Sequence, residues 1–164
     1  MHRVYRIGCL QSLTSKDVSR LETIANKKFN LVQKILLVDL GNTQQLLGVI
    51  NNTETKVKVI SQIEKKGVIA RKSTINSSTN KILAYANSNI YCKYLPSKIL
   101  SQIRDCKIGI GKILLYHKVD IFKNITEIGY APRVHLFKNY SLYHNAHLIC
   151  TITEIFPFRI IKSD

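Results

Sequence analysis

The chain has 164 residues, with 25 Lys and Arg against 10 Asp and Glu, a formal charge of +15. That length suits one domain that buries roughly two-thirds of its unfolded surface without staples. The four cysteines, Cys9, Cys92, Cys106 and Cys150, have no paired spacing, and no apolar run approaches the roughly 18 residues of a membrane helix, which argues against a disulfide scaffold and a membrane span.

The charge invites a nucleic-acid reading, because Lys and Arg neutralise phosphates. Composition offers a blander one. Ile, Lys and Asn are abundant, Arg is scarce and Trp is absent. Those are the residues an AT-rich coding sequence favours, so the charge reads first as drift spread over solvated faces. Met1 to Lys16 is basic and acid-free. It is a candidate remnant of a targeting segment, without the length or apolar core of a signal peptide.

In chain order, Val18, Leu21, Ile24 and Ala25 share one helical stripe, with Ser15 as N-cap. A second apolar segment, Leu31 to Val38, ends at the turn signal Asp39-Leu40-Gly41-Asn42. Thr43 to Leu47 reads as a short helix stopped by Gly48 or by Asn51-Asn52. From Thr53 the period changes from helix to strand. Strands are expected over Val57–Ile63, Gly67–Ile75 and Lys81–Tyr94. Pro96-Ser97 opens a helix through Arg104, and Gly109-Ile110-Gly111 opens another to about Tyr116. Asp120–Gly129, Arg133–Tyr143 and His147–Phe156 return to strand, the last two joined as a hairpin near Asn145. Most connections are too short for crossover helices. The expected fold class is therefore α+β, a single domain over 1–164 with a mainly antiparallel sheet and helices on one face.

Two charges fall where strand parity points inward. Glu154 shares its face with Leu148, Cys150, Ile152 and Phe156, and a carboxylate there needs a cation or a ligand. Arg71 shares its face with Ile69 and Ile75. An inward guanidinium suits bidentate capture of a planar carboxylate; equally, it suits a buried salt bridge to Glu154 or another acid. Gly109-Ile110-Gly111-Lys112 lacks the spacing of a phosphate loop and is read as a tight turn or a modest anion site. His144, His147 and Cys150, taken along one strand, alternate sides, so no metal is expected there. No Ser-His-Asp elbow appears, and a cofactor-free site is the simplest reading.

Together these residues resemble the chorismate pyruvate-lyase family, including its relatives encoded in the plastid genomes of algae. The likeness runs from about Lys34 to Phe158, leaving 1–30 as a weakly matched helical extension. Lys34 to Thr43 looks like the family's Leu-rich helix, acidic turn and hydrophobic-Thr pair. Arg71 with Leu83-Ala84 resembles its strand Arg and Leu-Ala pair, and Gly109-Ile110-Gly111 its turn at a helix start. Thr126-Glu127-Ile128-Gly129 and Thr153-Glu154-Ile155-Phe156-Pro157 resemble its later strands, the last carrying an active-site Glu. Three positions depart from the pattern. Asn42 stands where the family has a large apolar residue, Gly109 replaces a proline, and Ser61 stands where relatives have an Arg.

The resemblance implies a lyase that eliminates pyruvate from chorismate to give 4-hydroxybenzoate, without cofactor or metal, for plastoquinone synthesis in the plastid stroma. It implies Glu154 and Arg71 as catalytic residues, and substrate contacts from Arg71, Glu154, the backbone at Ile110 and the site wall at Asn42. The expected partner is chorismate or a related aromatic acid, the protein being a soluble monomer. The alternative is a non-catalytic aromatic-acid-binding domain, since the related effector-binding domains of some bacterial repressors share this architecture and only bind small ligands. The stretch before Lys34 is too short for their winged DNA-binding domain. Nucleic-acid binding ranks last, for want of a basic-aromatic signature.

Overall fold

The computed structural model describes residues 3–8 and 13–158. Strand β1 (Tyr5–Gly8) leads into three helices, α1 (Ser15–Ala25), α2 (Leu31–Val38) and α3 (Thr43–Asn51). Strands β2 (Thr55–Lys65), β3 (Val68–Ser77) and β4 (Ile82–Tyr91) follow as a meander. A 3-10 turn at Cys92–Tyr94 and helices α4 (Ser97–Arg104) and α5 (Ile110–Tyr116) lead to β5 (Phe122–Ala131), β6 (His135–His144) and β7 (His147–Pro157). All seven strands form one antiparallel sheet in the order β1-β5-β6-β7-β4-β3-β2. This is the expected α+β class. Within 1–30, Ser15–Ala25 is the expected helix, while Tyr5–Gly8 adds an edge strand that sequence reading left out. Cys9 lies outside the described residues.

Local chemistry explains the helix ends. α1 is capped one residue earlier than expected, at Thr14, whose backbone N–H donates to Asp17 Oδ2 at 2.8 Å. Asn30 and Gln33 form a reciprocal capping box on α2, each backbone N–H bonding the other's side chain at 2.9 Å. Asn42 caps α3, its Oδ1 accepting from the N–H of Gln44 and Gln45. α3 runs through Gly48 and stops at Asn52, which takes the left-handed conformation. A second buried acid, Glu22, ties α1 to α2. It accepts from the Phe29 N–H at 2.7 Å and meets Lys34 at 3.2 Å, and the Phe29 bond above all holds its pKa below the ordinary carboxylate value against the opposing effect of burial.

Topology decides where a ligand can sit. β1 and β2 are opposite edges of the sheet, so α1 to α3 carry the chain across its full width. The α4–α5 pair crosses β7 and β6 to reach β5. Both crossings cover the same face, with Leu21, Leu36, Leu37, Ile103, Ile113 and Leu114 buried against Ile69, Ile90 and Phe156. The other face is polar at its centre, where Lys72, Asn87, Thr153, Asn139 and Glu127 follow one another across the strands. No helix among the described residues is long and apolar enough to cross a membrane.

One glycine is required by packing. Gly129 in β5 lies opposite Phe137 in β6, and a Cβ there would overlap the Phe137 ring and come within 2.9 Å of the Tyr5 carbonyl oxygen. Gly129→Ala is expected to destabilise the fold by about 2–3 kcal/mol, the usual cost of overpacking. Urea unfolding checks this, and Phe137→Leu in the same chain should return part of the loss. A Gly129→Ala chain as stable as wild type would show that the ring is free to swing away.

Candidate functional site

Between the two helical crossings and the sheet lies a cavity of about 410 Å³, within the usual range for small-molecule sites. Glu154, Arg71, Ile110 and Asn42 all line it. Leu40 and Leu115 stand at its mouth, 60% and 65% exposed.

Glu154 is 4% exposed on β7, on the inward face that strand parity assigns it. Its Oε1 accepts from the Tyr140 hydroxyl and its Oε2 from the Thr43 hydroxyl, each at 2.8 Å. Tyr140 sits two residues along β6 from Lys138, the direct cross-strand partner of Glu154. Thr43 is brought in by the Asn42 cap that starts α3. Lys138 supplies the cation. Its ammonium lies 3.5 Å from Glu154 Oε2 and 3.7 Å from Asp39 Oδ2, donates to the Asp39 carbonyl at 3.0 Å, and is 0% exposed. Burial, then the adjacent Glu154 charge, pushes the Tyr140 hydroxyl far above its ordinary pKa, so it stays a donor at neutral pH.

The salt bridge between Arg71 and Glu154, one of two readings open at the sequence level, is absent. Arg71 is 2% exposed and its guanidinium is turned to neutral acceptors. Nε donates to Gln62 Oε1 at 2.7 Å, and the two terminal nitrogens donate to the Ile108 and Ile103 carbonyls. These bonds tie the α4–α5 connection down onto the sheet. A guanidinium has five N–H donors, so two remain beyond these three bonds. Burial lowers the Arg71 pKa, though an arginine stays charged regardless.

The three departures from the family pattern have local causes. Asn42 is polar because it caps a helix. Ser61 is not in the cavity at all: a bulge between Val59 and Ser61 turns Ser61 to the polar face opposite Lys72 and sets Gln62 beside Arg71. Gly109 lies against β2, where a Cβ would come within 2.8 Å of Val57 Cγ2. Ile110, which follows it, opens α5 on the cavity wall.

The reason given for setting aside His144, His147 and Cys150 is corrected. They do not share a strand. His144 and His147 face one another across the Asn145-Ala146 turn, whose two residues both have positive φ, while Cys150 points into the core. His147 stacks on Tyr94 at 4.3 Å, and His144 is bonded to the Asp120 carbonyl. Among the described residues no group of His, Cys, Asp or Glu is gathered for a metal.

Lys138, Tyr140, Thr43 and Lys123 were missed. Signals existed for the first and last. Lys138 shares parity with Leu136, Tyr140 and Leu142, and Lys123 with Ile121 and Ile125, but two more lysines in so basic a chain read as solvated. Lys123 lines the cavity half-buried, donates to the Gly41 carbonyl at 3.2 Å and lies 4.1 Å from the Tyr140 ring centre. Burial foremost, then Lys138, lowers its pKa to about 8.

The fold and cavity thus define an α+β domain with a buried, charge-lined site of small-molecule size. No protein-family model matches the chain, and no curated protein sequence does. Among solved structures it is similar to the crystal structure of a putative GntR-family transcriptional regulator, at TM-score 0.44 and 10% identity over 65% of this chain. The match spans 56% of that regulator, about half its length. A likeness so remote transfers neither a ligand nor a residue's role.

Proposed function

We propose that the chain is a lyase that releases pyruvate from chorismate, leaving 4-hydroxybenzoate. The observation that carries this is a buried carboxylate, Glu154, held by two hydroxyls on the wall of a cavity that Arg71 also lines. The reaction balances within the substrate. The ring C–O bond to the ether oxygen breaks, its electron pair leaves with the enolpyruvyl group, and the proton on the adjacent, hydroxyl-bearing ring carbon departs as the ring becomes aromatic. Enolpyruvate then becomes pyruvate by taking a proton on carbon. Aromatisation supplies most of the driving force, so the protein must orient the ring, hold its charges and accept one proton. Glu154 is the acceptor, with Tyr140 and Thr43 fixing its carboxylate. The two unused Arg71 N–H groups take a substrate carboxylate, and the α5 start at Ile110 and the α3 start at Asn42 bound the ring. The composition of the chain and its likeness to plastid-encoded relatives favour a plastid role in plastoquinone synthesis.

A second reading is favoured by the same carboxylate. Both Glu154 oxygens are already bonded and Lys138 is beside them, as in a purely structural buried pair. The domain would then bind an aromatic acid without turning it over. Incubating the folded protein with chorismate decides between them. Release of pyruvate and 4-hydroxybenzoate is expected, falling about 100-fold or more in Glu154→Gln, the typical contribution of a positioned base. Thermal stabilisation by 4-hydroxybenzoate with no pyruvate from wild type would sink the lyase and leave the binding domain.

A further inference from the structure

We infer that Lys123 is the anchor for a second anionic group on the ligand, and so the residue that makes this cavity prefer ring dicarboxylates to monocarboxylates. The inference rests on the cavity being a site for a carboxylic acid, not on its catalysing an elimination.

The charge arrangement leads there. Five buried or half-buried charges lie at the cavity or directly behind it: Arg71, Lys123, Lys138, Asp39 and Glu154. Lys138 has both acids within 4.0 Å and spends itself on them. Among the described residues Arg71 and Lys123 have no carboxylate within that distance, and both line the cavity. Two partly desolvated cations with no acid within reach are costly unless another anion meets them. Arg71 recovers part of that through Gln62 and two carbonyls. Lys123 has one carbonyl, Gly41, and the face of Tyr140. An ammonium has three donors, so after the Gly41 bond two are left for a ligand.

Lys123 and Arg71 stand on β5 and β3, separated in the sheet by β6, β7 and β4. A single carboxylate cannot serve both, so a ligand held at Arg71 needs a second anionic group to engage Lys123. Glu154 on β7 lies between and is left facing the ring. The groups facing Lys123 are Lys138 and Tyr140 from β6, Glu154 from β7 and Asp39 from the end of α2, with the exposed Lys112 of α5 further round the wall. Lys123 titrates near 8 in the free protein, so its grip on an anion weakens as pH rises past that value. Carboxylate ligands are fully ionised throughout that range.

The test measures equilibrium affinity for 3-(carboxymethoxy)benzoate and for 3-methoxybenzoate, which share a ring and an ether and differ in the second carboxylate. Wild type is expected to favour the dicarboxylate by about tenfold or more at about pH 7, the worth of one partly desolvated charge pair. Lys123→Met should bring the ratio close to unity, the dicarboxylate losing far more affinity than 3-methoxybenzoate. In wild type the ratio should shrink between about pH 7 and about pH 9.5 as Lys123 loses its proton. A merely structural lysine would weaken both acids together and leave the ratio alone. Retention of the preference in Lys123→Met, or no preference in wild type that binds both acids, overturns the role of Lys123. Failure of folded wild type to bind either acid overturns the carboxylate site itself, and the inference with it. Selective binding without chorismate turnover sinks only the lyase.

Discussion

Replacing Lys138 by Met is expected to cost the fold about 3–5 kcal/mol, because it strands two carboxylates that share one buried cation. Lys138 is 0% exposed, and its ammonium lies within 4.0 Å of both Glu154 and Asp39. Asp39 Oδ2 is buried with no hydrogen-bond partner, so Lys138 is its only compensation among the described residues. A loss of that size approaches the whole stability of a marginal domain. Glu154→Gln should cost less, since Lys138 keeps Asp39 and the amide still accepts from Tyr140 or Thr43. Lys138→Met combined with Glu154→Gln should be more stable than Lys138→Met alone, because one of the two stranded charges has gone with the cation and only Asp39 is left unpaired. Urea unfolding of the three variants reads this as a double-mutant cycle. A double variant no better than the single would mean that Lys138 acts by packing its stem against Phe156 and Tyr140 rather than by its charge.

The second large effect is at Arg71. Arg71→Ala leaves Gln62 and the Ile103 and Ile108 carbonyls without their charged donor. With bonds to a charged group each worth about 1.5–3 kcal/mol, and some replaced by water, the expected loss is about 3–5 kcal/mol. Arg71→Lys keeps the charge but not the planar fork, so it should recover less than half. The loss has an address. Amide exchange should quicken across residues 103–116, the α4–α5 crossing that Arg71 ties to the sheet, before it quickens in β6 or β7. In the ligand-free protein a cycle of Arg71→Ala with Glu154→Gln should show almost no coupling, because the two do not touch. Strong coupling would restore the buried salt bridge that the geometry rules out. Arg71 therefore shapes the cavity roof as well as facing the cavity, and its variants must be judged by exchange as well as by binding.

How much of this was legible in the sequence depended on the range of the signal. From α1 onward the element order was legible, because helix and strand periods are written over a few residues. The turns at Asn52 and Asn145 were legible too, while Gly67, expected to open a strand, is part of the turn before β3. Parity put Glu154 and Arg71 on inward faces, where they are found 4% and 2% exposed. The N-cap of α1 slipped by one residue, since Thr14 and Ser15 are equally good caps and only the reach of Asp17 back to Thr14 separates them. β1 went unseen because four residues, Tyr5-Arg6-Ile7-Gly8, are too few to show a period. They become a strand only when β5 offers an edge.

The site was less legible, for a physical reason. Parity says that a side chain points inward, but not which inward neighbours it meets. That is set by register, which a single bulge can shift. The bulge at Val59/Ser61 is what put Gln62, and not Ser61, beside Arg71. Lys138 was read as one more solvated lysine because its partner, sixteen residues away on β7, is opposite it only in the folded register. Asn42 is accounted for by its own helix, whose first N–H groups its side chain caps.

By itself, the sequence determined the class of the fold, the order of its elements from α1 onward and the two charged residues that face inward, because propensity, caps and alternation act over short range. The tertiary structure alone decided which charges meet. It paired Glu154 with Lys138 and two hydroxyls, turned Arg71 to carbonyls of the α4–α5 crossing, and left Lys123 on the cavity wall with no carboxylate within 4.0 Å among the described residues. Those contacts join residues far apart in the chain, and only the order and register of seven strands bring them within bonding distance.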